Sequence, residues 1–185
     1  MALTTLDIKE PGLNVLPPGV ERHVVNAGGL TGLQILPDDE IEIINDEGNQ
    51  ICELICFDKD GKSELGILNL KENSKKSFIK EILKRKDESS LITNFQLKKR
   101  NLDINKSKSS ILFDDKTPSG EKIKIKSKDK CYVIFSAPQN EMLVSEQNPS
   151  SDLTIFIKRA KIVNDKELSV IPDPIYEPNY EKNID

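Results

Sequence analysis

Tryptophan is absent from this 185-residue chain, and histidine occurs once, as His23. A single histidine leaves few ways to build a metal centre, because a zinc site needs three or four protein ligands. Any such site would have to draw on the three cysteines, Cys52, Cys56 and Cys131. These form no C-x-x-C pair, and an odd count argues against a disulfide framework. Cys52 and Cys56 are two strand periods apart and so share one face of a strand. The ordinary reading is three small buried hydrophobes with no metal. The alternative is a site made from Cys52, Cys56 and Cys131 with His23.

Other absences narrow the chemistry further. There is no G-x-G-x-x-G or G-x-x-x-x-G-K-[ST] motif, so the known glycine-rich phosphate cradles are missing. Gly28, Gly29 and Gly32 lie between strands with no helix behind them, and they read as a β-bulge. No G-x-S-x-G nucleophile elbow occurs, and a serine triad would have to recruit His23. No apolar run approaches the length that spans a bilayer. Met1 to Glu10 lack a basic region followed by an apolar stretch, so no signal peptide is read there and a cytoplasmic location is expected.

What the chain does have is charge, unevenly placed. Residues 1–70 carry 4 basic and 13 acidic side chains, whereas residues 71–108 carry 12 basic and 5 acidic ones. The basic middle has only Phe78 and Phe95 interleaved among its lysines and arginines, too few stacking groups for a nucleic-acid interface. It reads as a solvated helix and loop, or as a region docking on the acidic first third. Nucleic acid and membrane are therefore not expected partners.

The strand pattern dominates the first third. Short apolar runs at 24–26, 30–36, 41–45 and 50–57 are separated by turn residues, at the spacing of an antiparallel sandwich or barrel. Asp46-Glu47-Gly48-Asn49 has the chemistry of a tight turn, so 41–45 and 50–57 are expected to form a β-hairpin. The period then changes. Phe78, Ile79, Ile82 and Leu83 fall on one helical face after Ser74 as N-cap, which predicts a helix over about 74–86. Residues 90–97 fit a short helix or a strand. Further strands are expected at 111–113, at the alternating 122–126, and at the almost wholly apolar 131–135 and 153–157. Three prolines between Pro172 and Pro178 exclude a central strand or helix interior there.

The expected architecture is mainly β, an antiparallel sandwich or distorted barrel with one inserted helix at about 74–86. Residues 1–20 form an extended entry, 21–170 a single β-rich domain with a helical, basic insertion at 71–108, and 171–185 a Pro-rich linker or tail.

Leu16-Pro17-Pro18-Gly19, Ala27-Gly28-Gly29-Leu30-Thr31-Gly32, Asp46-Glu47-Gly48-Asn49-Gln50 and Ile171-Pro172-Asp173-Pro174 together carry a resemblance. The chain resembles the N-terminal part of bacterial aminomethyltransferase-like proteins, in which urea carboxylase-associated domains precede a folate-binding domain similar to the glycine-cleavage T-protein. The resemblance implies an accessory or ligand-binding module, not catalytic by itself, of a protein that moves a one-carbon unit from a methylated amine or related donor to tetrahydrofolate. The folate site and the transferase partner, as a fused domain or a separate subunit, would lie outside this chain. It also implies an alternative, a metal-dependent deiminase or amidohydrolase of the urea carboxylase-associated type acting on a small nitrogen compound. The sequence departs from that alternative, because no histidine follows the hairpin and Lys130-Cys131-Tyr132 stands where a His-Ser-Cys type run would be needed.

The candidate ligand residues cluster at the predicted hairpin. Asn49, Gln50 and Glu53 sit on or beside the turn, and Gln50 with Glu53 could orient a small cationic or amide ligand. The competing reading has Gln50 satisfying turn backbone and Glu53 facing solvent, since an inward carboxylate is costly unless paired. Arg22 and Arg159, two of only four arginines, could form a carboxylate clamp or serve as surface charge.

Overall fold

The computed structural model describes residues 16–140, 149–161 and 165–174. Eight strands are assigned: β1 (Val20–Val25), β2 (Leu30–Ile35), β3 (Glu40–Asn45), β4 (Cys52–Asp58), β5 (Ser109–Phe113), β6 (Glu121–Lys126), β7 (Cys131–Ser136) and β8 (Leu153–Lys158). They form two four-stranded antiparallel sheets, ordered β1-β8-β3-β6 and β2-β7-β4-β5. The pairs β1 with β8, β2 with β7, β3 with β6 and β4 with β5 are nested, as if one long antiparallel hairpin had been rolled up. That is the arrangement of a jelly-roll sandwich. Of the two expected architectures, the sandwich is the one observed.

Nesting overturns one local expectation. β3 and β4 belong to different sheets, so residues 41–57 cross from one sheet to the other and do not form a hairpin. The turn at 46–49 is real, with Gly48 and Asn49 at φ of 79° and 56°. Its hydrogen bonds run sideways to the loop before β6 instead of closing on the neighbouring strand. Asn49 N–H donates to Thr117 O at 2.7 Å, Gly120 N–H to Asn45 O at 2.7 Å, and Ser119 Oγ to Asp46 O at 2.7 Å.

The core has two layers. Ile41, Ile43, Leu54, Val133, Phe135, Ile155 and Ile157 meet between the sheets. Burying each such side chain contributes about 1.5–3 kcal/mol. The opposite face of the second sheet, with Ile55, Phe57 and Ile134, is covered by Ile79, Ile82, Leu83 and Leu97. β4 and β7 are thus buried on both faces, which explains their unbroken apolar runs.

The covering residues come from the insertion at the hairpin tip, between β4 and β5. It holds two helices where one was expected: α1 (Phe78–Leu83) and α2 (Glu88–Lys99). Ser77, not Ser74, caps α1, accepting from Lys80 N–H at 3.3 Å. Asp87 caps α2 through Ser90 N–H at 3.0 Å, and Glu88 opens its first turn. α2 has almost no amphipathic signal in sequence because its buried face carries Ser90, Thr93 and Gln96 beside Leu97. A one-turn helix, α3 (Asp165–Leu168), precedes the end of the described chain. Among the described residues no helix is long and apolar enough to cross a membrane.

Candidate functional site

The two sheets leave an open edge where β1 and β2, the outermost strands on that side, run past each other. A groove of about 810 Å³ lies along this edge and continues under α2. Strand periodicity decides what faces it. On β1, Glu21 and His23 turn toward the groove, with Val25 continuing into the inter-sheet core. Arg22, between them, is exposed on the outer face of its sheet. On β2, Gly32 and Gln34 line the part under α2.

At the near wall, Arg159 organises the charge. Its side chain is only 5% exposed. Nε and Nη2 grip the Glu21 carboxylate at 2.9 and 3.0 Å, and Nη1 donates to Asp39 at 2.7 Å and to Gln34 O at 2.9 Å. Asp39 also accepts from Leu36 N–H at 2.9 Å and Ala160 N–H at 3.0 Å, which fixes the end of β8 against the loop before β3. His23 Nε2 lies 3.0 Å from Glu21 Oε2. The hydrogen bond from His23 and the Arg159 guanidinium hold the Glu21 carboxyl at about 2, against the upward pull of partial burial.

The far wall is built on Tyr132. A Cβ at position 32 would overlap the Tyr132 hydroxyl, so only glycine fits there. The Arg100 guanidinium stacks 4.5 Å above the Tyr132 ring and donates to Gln34 Oε1 at 3.1 Å. It also donates to Ser169 O at 3.0 Å, while Gln96 Nε2 donates to Ile171 O at 2.9 Å and Asp173 Oδ1 at 3.0 Å. Residues 169–173 are thereby strapped across α2 as the third wall.

The residues expected at the hairpin lie elsewhere. Gln50 is fully buried, and its amide accepts from Ser151 N–H at 2.7 Å and donates to Pro138 O at 2.8 Å and Ile51 O at 2.9 Å. Asn49 O accepts from Asn140 Nδ2 at 3.0 Å. The Gln50 side chain and the Asn49 backbone serve the junction of three loops. Glu53 points the other way, into the layer under α1, where Oε2 accepts from Ile79 N–H at 2.7 Å and Oε1 has no partner among the described residues. Burial pushes its carboxyl above the usual range. Gln50 and Glu53 therefore cannot face one ligand, and Glu53 does not face solvent. Arg22 and Arg159 diverge to opposite faces of their sheet and form no clamp.

The metal alternative fares no better. Cys52, Cys56 and Cys131 are buried between the sheets, while His23 lies on the open edge at 31% side-chain exposure. Among the described residues no three histidine, cysteine or acidic side chains are placed to share a metal ion. The contact with Cys131, together with burial, holds the Cys56 thiol protonated. Of the groove residues, the sequence offers His23 and Arg159 but not Glu21, Gln34, Arg100 or Tyr132, nor Asp39 behind them. Glu21-x-His23, two residues apart on a strand, was the one local signal.

No family model matches the chain. A search of curated proteins finds similarity to a trimethylamine-oxide aldolase of Ruegeria pomeroyi (strain ATCC 700808 / DSM 15171 / DSS-3), 31% identical over 171 residues. The chain resembles part of an aldolase. The match covers 92% of this chain but 22% of the relative, so the chain spans about a fifth of that protein's length. This corrects the expected function. The relative is an aldolase, neither an accessory module of a folate-dependent aminomethyltransferase nor a deiminase of the urea carboxylase-associated type.

Proposed function

We propose that this chain is a ligand-handling domain of a trimethylamine-oxide-aldolase-like protein, and that the edge groove receives a small methylated nitrogen compound. The observation that carries the reading is the 31% identity sustained over 92% of the chain. The groove supports it by its chemistry. It is polar as well as apolar, with Arg85, Arg100 and Tyr132 as donors and Glu88 and Asp173 as acids around Leu30 and Ile92. A compact ligand with a charged or dipolar head and methyl groups suits such a lining better than a large apolar one would. We place the protein in the cytoplasm, in keeping with its three free thiols.

Calorimetric titration of trimethylamine oxide into the purified chain tests this. Saturable binding, weakened by at least about tenfold in Arg100→Ala, is the expected result. No saturable heat up to about 50 mM, well above the millimolar range of weak specific binding, would overturn the reading.

A further inference from the structure

The two sheets end in four edge strands, β1 and β6 in one, β2 and β5 in the other. The unpaired backbone groups of an edge strand are a template for a further strand unless something takes them. Among the described residues, protein groups occupy part of that template at three of the edges. On β5, the Asn73 side chain donates to Ile111 O at 3.0 Å and accepts from Ile111 N–H at 2.7 Å, and Asn73 N–H donates to Ser109 O at 3.4 Å. On β2, Arg159 donates to Gln34 O at 2.9 Å. On β1, Thr31 Oγ1 donates to Val24 O and Val20 N–H to Pro17 O, both at 3.1 Å.

β6 differs from all three. Residues along an antiparallel strand bond alternately to one neighbour and to the other side. Ser127 N–H donates to Asp39 O at 3.0 Å, and in the register of β6 on β3 this gives the ladder bonds of β6 to Glu121, Ile123 and Ile125. The far side of the sheet gives the same parity. Arg159 N–H donates to Gly19 O at 2.8 Å, so β8 bonds to β1 through Ile157, Ile155 and Leu153 and to β3 through the residues between, which leaves Ile41, Ile43 and Asn45 for β6. The N–H and C=O groups of Lys122, Lys124 and Lys126 therefore point away from the sheet, and none has a hydrogen-bond partner among the described residues. No proline interrupts the six-residue strand.

The side chains of β6 select what can add there. The lysines stand on the solvent face, with Lys124 at 80% and Lys126 at 62% side-chain exposure, while Ile123 and Ile125 turn toward the core. The complement of this pattern is already present on the inner side. β3 reads Glu40-Ile41-Glu42-Ile43, its glutamates opposite Lys126 and Lys124 and its isoleucines opposite those of β6, with Glu42 3.5 Å from Lys124 Nζ. An ammonium carries three donors, so each lysine can take a second carboxylate on its outer side. The β6 strand of a second copy would set lysine against lysine, which like charges oppose. We propose that β6 is a strand-addition site for an extended segment of a partner protein in which acidic and apolar residues alternate. Its carboxylates would lie over Lys122, Lys124 and Lys126, its apolar side chains beside Ile123, and its backbone on the three outward lysine residues. The site is at the opposite edge of the sandwich from the β1/β2 groove and does not rest on what that groove binds.

A synthetic peptide of residues 38–45, Asp38 to Asn45, carries the required alternation and serves as the probe. Titrated into the ¹⁵N-labelled full chain, it should move the amide resonances of Lys122, Lys124 and Lys126 saturably and slow their hydrogen exchange. The amides of Ile123 and Ile125, bonded to β3, should change little. The same peptide with Glu40→Lys and Glu42→Lys should bind at least about tenfold more weakly. In the chain itself, Lys124→Pro removes one outward N–H and leaves the ladder to β3 intact, so this variant should stay folded and lose the peptide response. The double variant Lys122→Gln with Lys124→Gln keeps every backbone donor and should weaken the acidic peptide at least about tenfold. No saturable shift at the three lysine amides up to about 5 mM peptide, or equal affinity for the acidic and the lysine-bearing peptide, would overturn the proposal. Slow exchange of those amides in the free chain would also overturn it, because the edge would already be covered. Undiminished binding to a folded Lys124→Pro would overturn it too, since charge attraction without strand addition would then account for the response.

Discussion

The turn at Asn49-Gln50 and the edge groove at Glu21-His23 are both polar clusters beside strands, yet they do opposite work. At the turn, Gln50 spends both ends of its amide on Ser151, Pro138 and Ile51 and is fully buried. At the edge, Glu21 and Arg159 are fully engaged with each other, but His23 keeps one ring nitrogen open toward an 810 Å³ groove. A polar residue whose hydrogen bonds are all closed is architecture. One with an open valence facing a cavity is the place to look for a ligand.

Substitutions at the two regions sharpen the contrast. Arg159→Ala should have the largest effect, because it leaves Asp39 buried and unpaired; such breaks cost about 3–5 kcal/mol. Urea denaturation should show the loss as a lower midpoint. Gln50→Ala should cost about 2 kcal/mol by stranding Ser151 N–H and Pro138 O. Ligand binding in the groove should be unchanged in that variant at temperatures where it stays folded.

The two acids give a smaller contrast of opposite sign. Glu53 has its folded-state pKa raised by burial, so the folded chain holds a proton that the unfolded chain releases. Its penalty begins above the ordinary glutamate value, about 4.3, and grows as pH rises toward the folded-state value. Glu53→Gln should therefore gain on the parent as pH rises above the ordinary glutamate value, and the gain should vanish below about pH 4. Glu21, depressed to about 2, behaves in reverse. Its stabilisation is present above about pH 4.3 and is lost as pH falls toward 2. Denaturation midpoints of Glu53→Gln and Glu21→Gln between pH 2 and 8 should slope in opposite directions relative to the parent. Parallel slopes would mean that one of the two environments is misread.

Much of the fold was legible in the residues. The apolar runs 131–135 and 153–157, the alternation at 122–126 and the short strands of the first third all became strands, and the sandwich follows from their number and spacing. Connectivity was not legible. Asp46-Glu47-Gly48-Asn49 carries hairpin chemistry, but the turn spends its backbone on Thr117, Ser119 and Gly120, about 70 residues away. Gly48 lies so close to that loop that a Cβ would come within 2.6 Å of Ser119 N. α2 was ambiguous because Ser90, Thr93 and Gln96 occupy its buried face in place of apolar residues. The groove was the least legible part. It assembles β1, β2, α2, the end of β8 and residues 169–173, and only nested strand pairing brings them together.

Chemical-shift mapping of the whole chain during a trimethylamine oxide titration tests the central claim most directly. The account predicts saturable shifts at Gly32, Arg100 and Tyr132 in the groove, with Asn49, Gln50 and their neighbours unmoved. Shifts centred on Asn49 and Gln50, or no saturable shift anywhere, would contradict it.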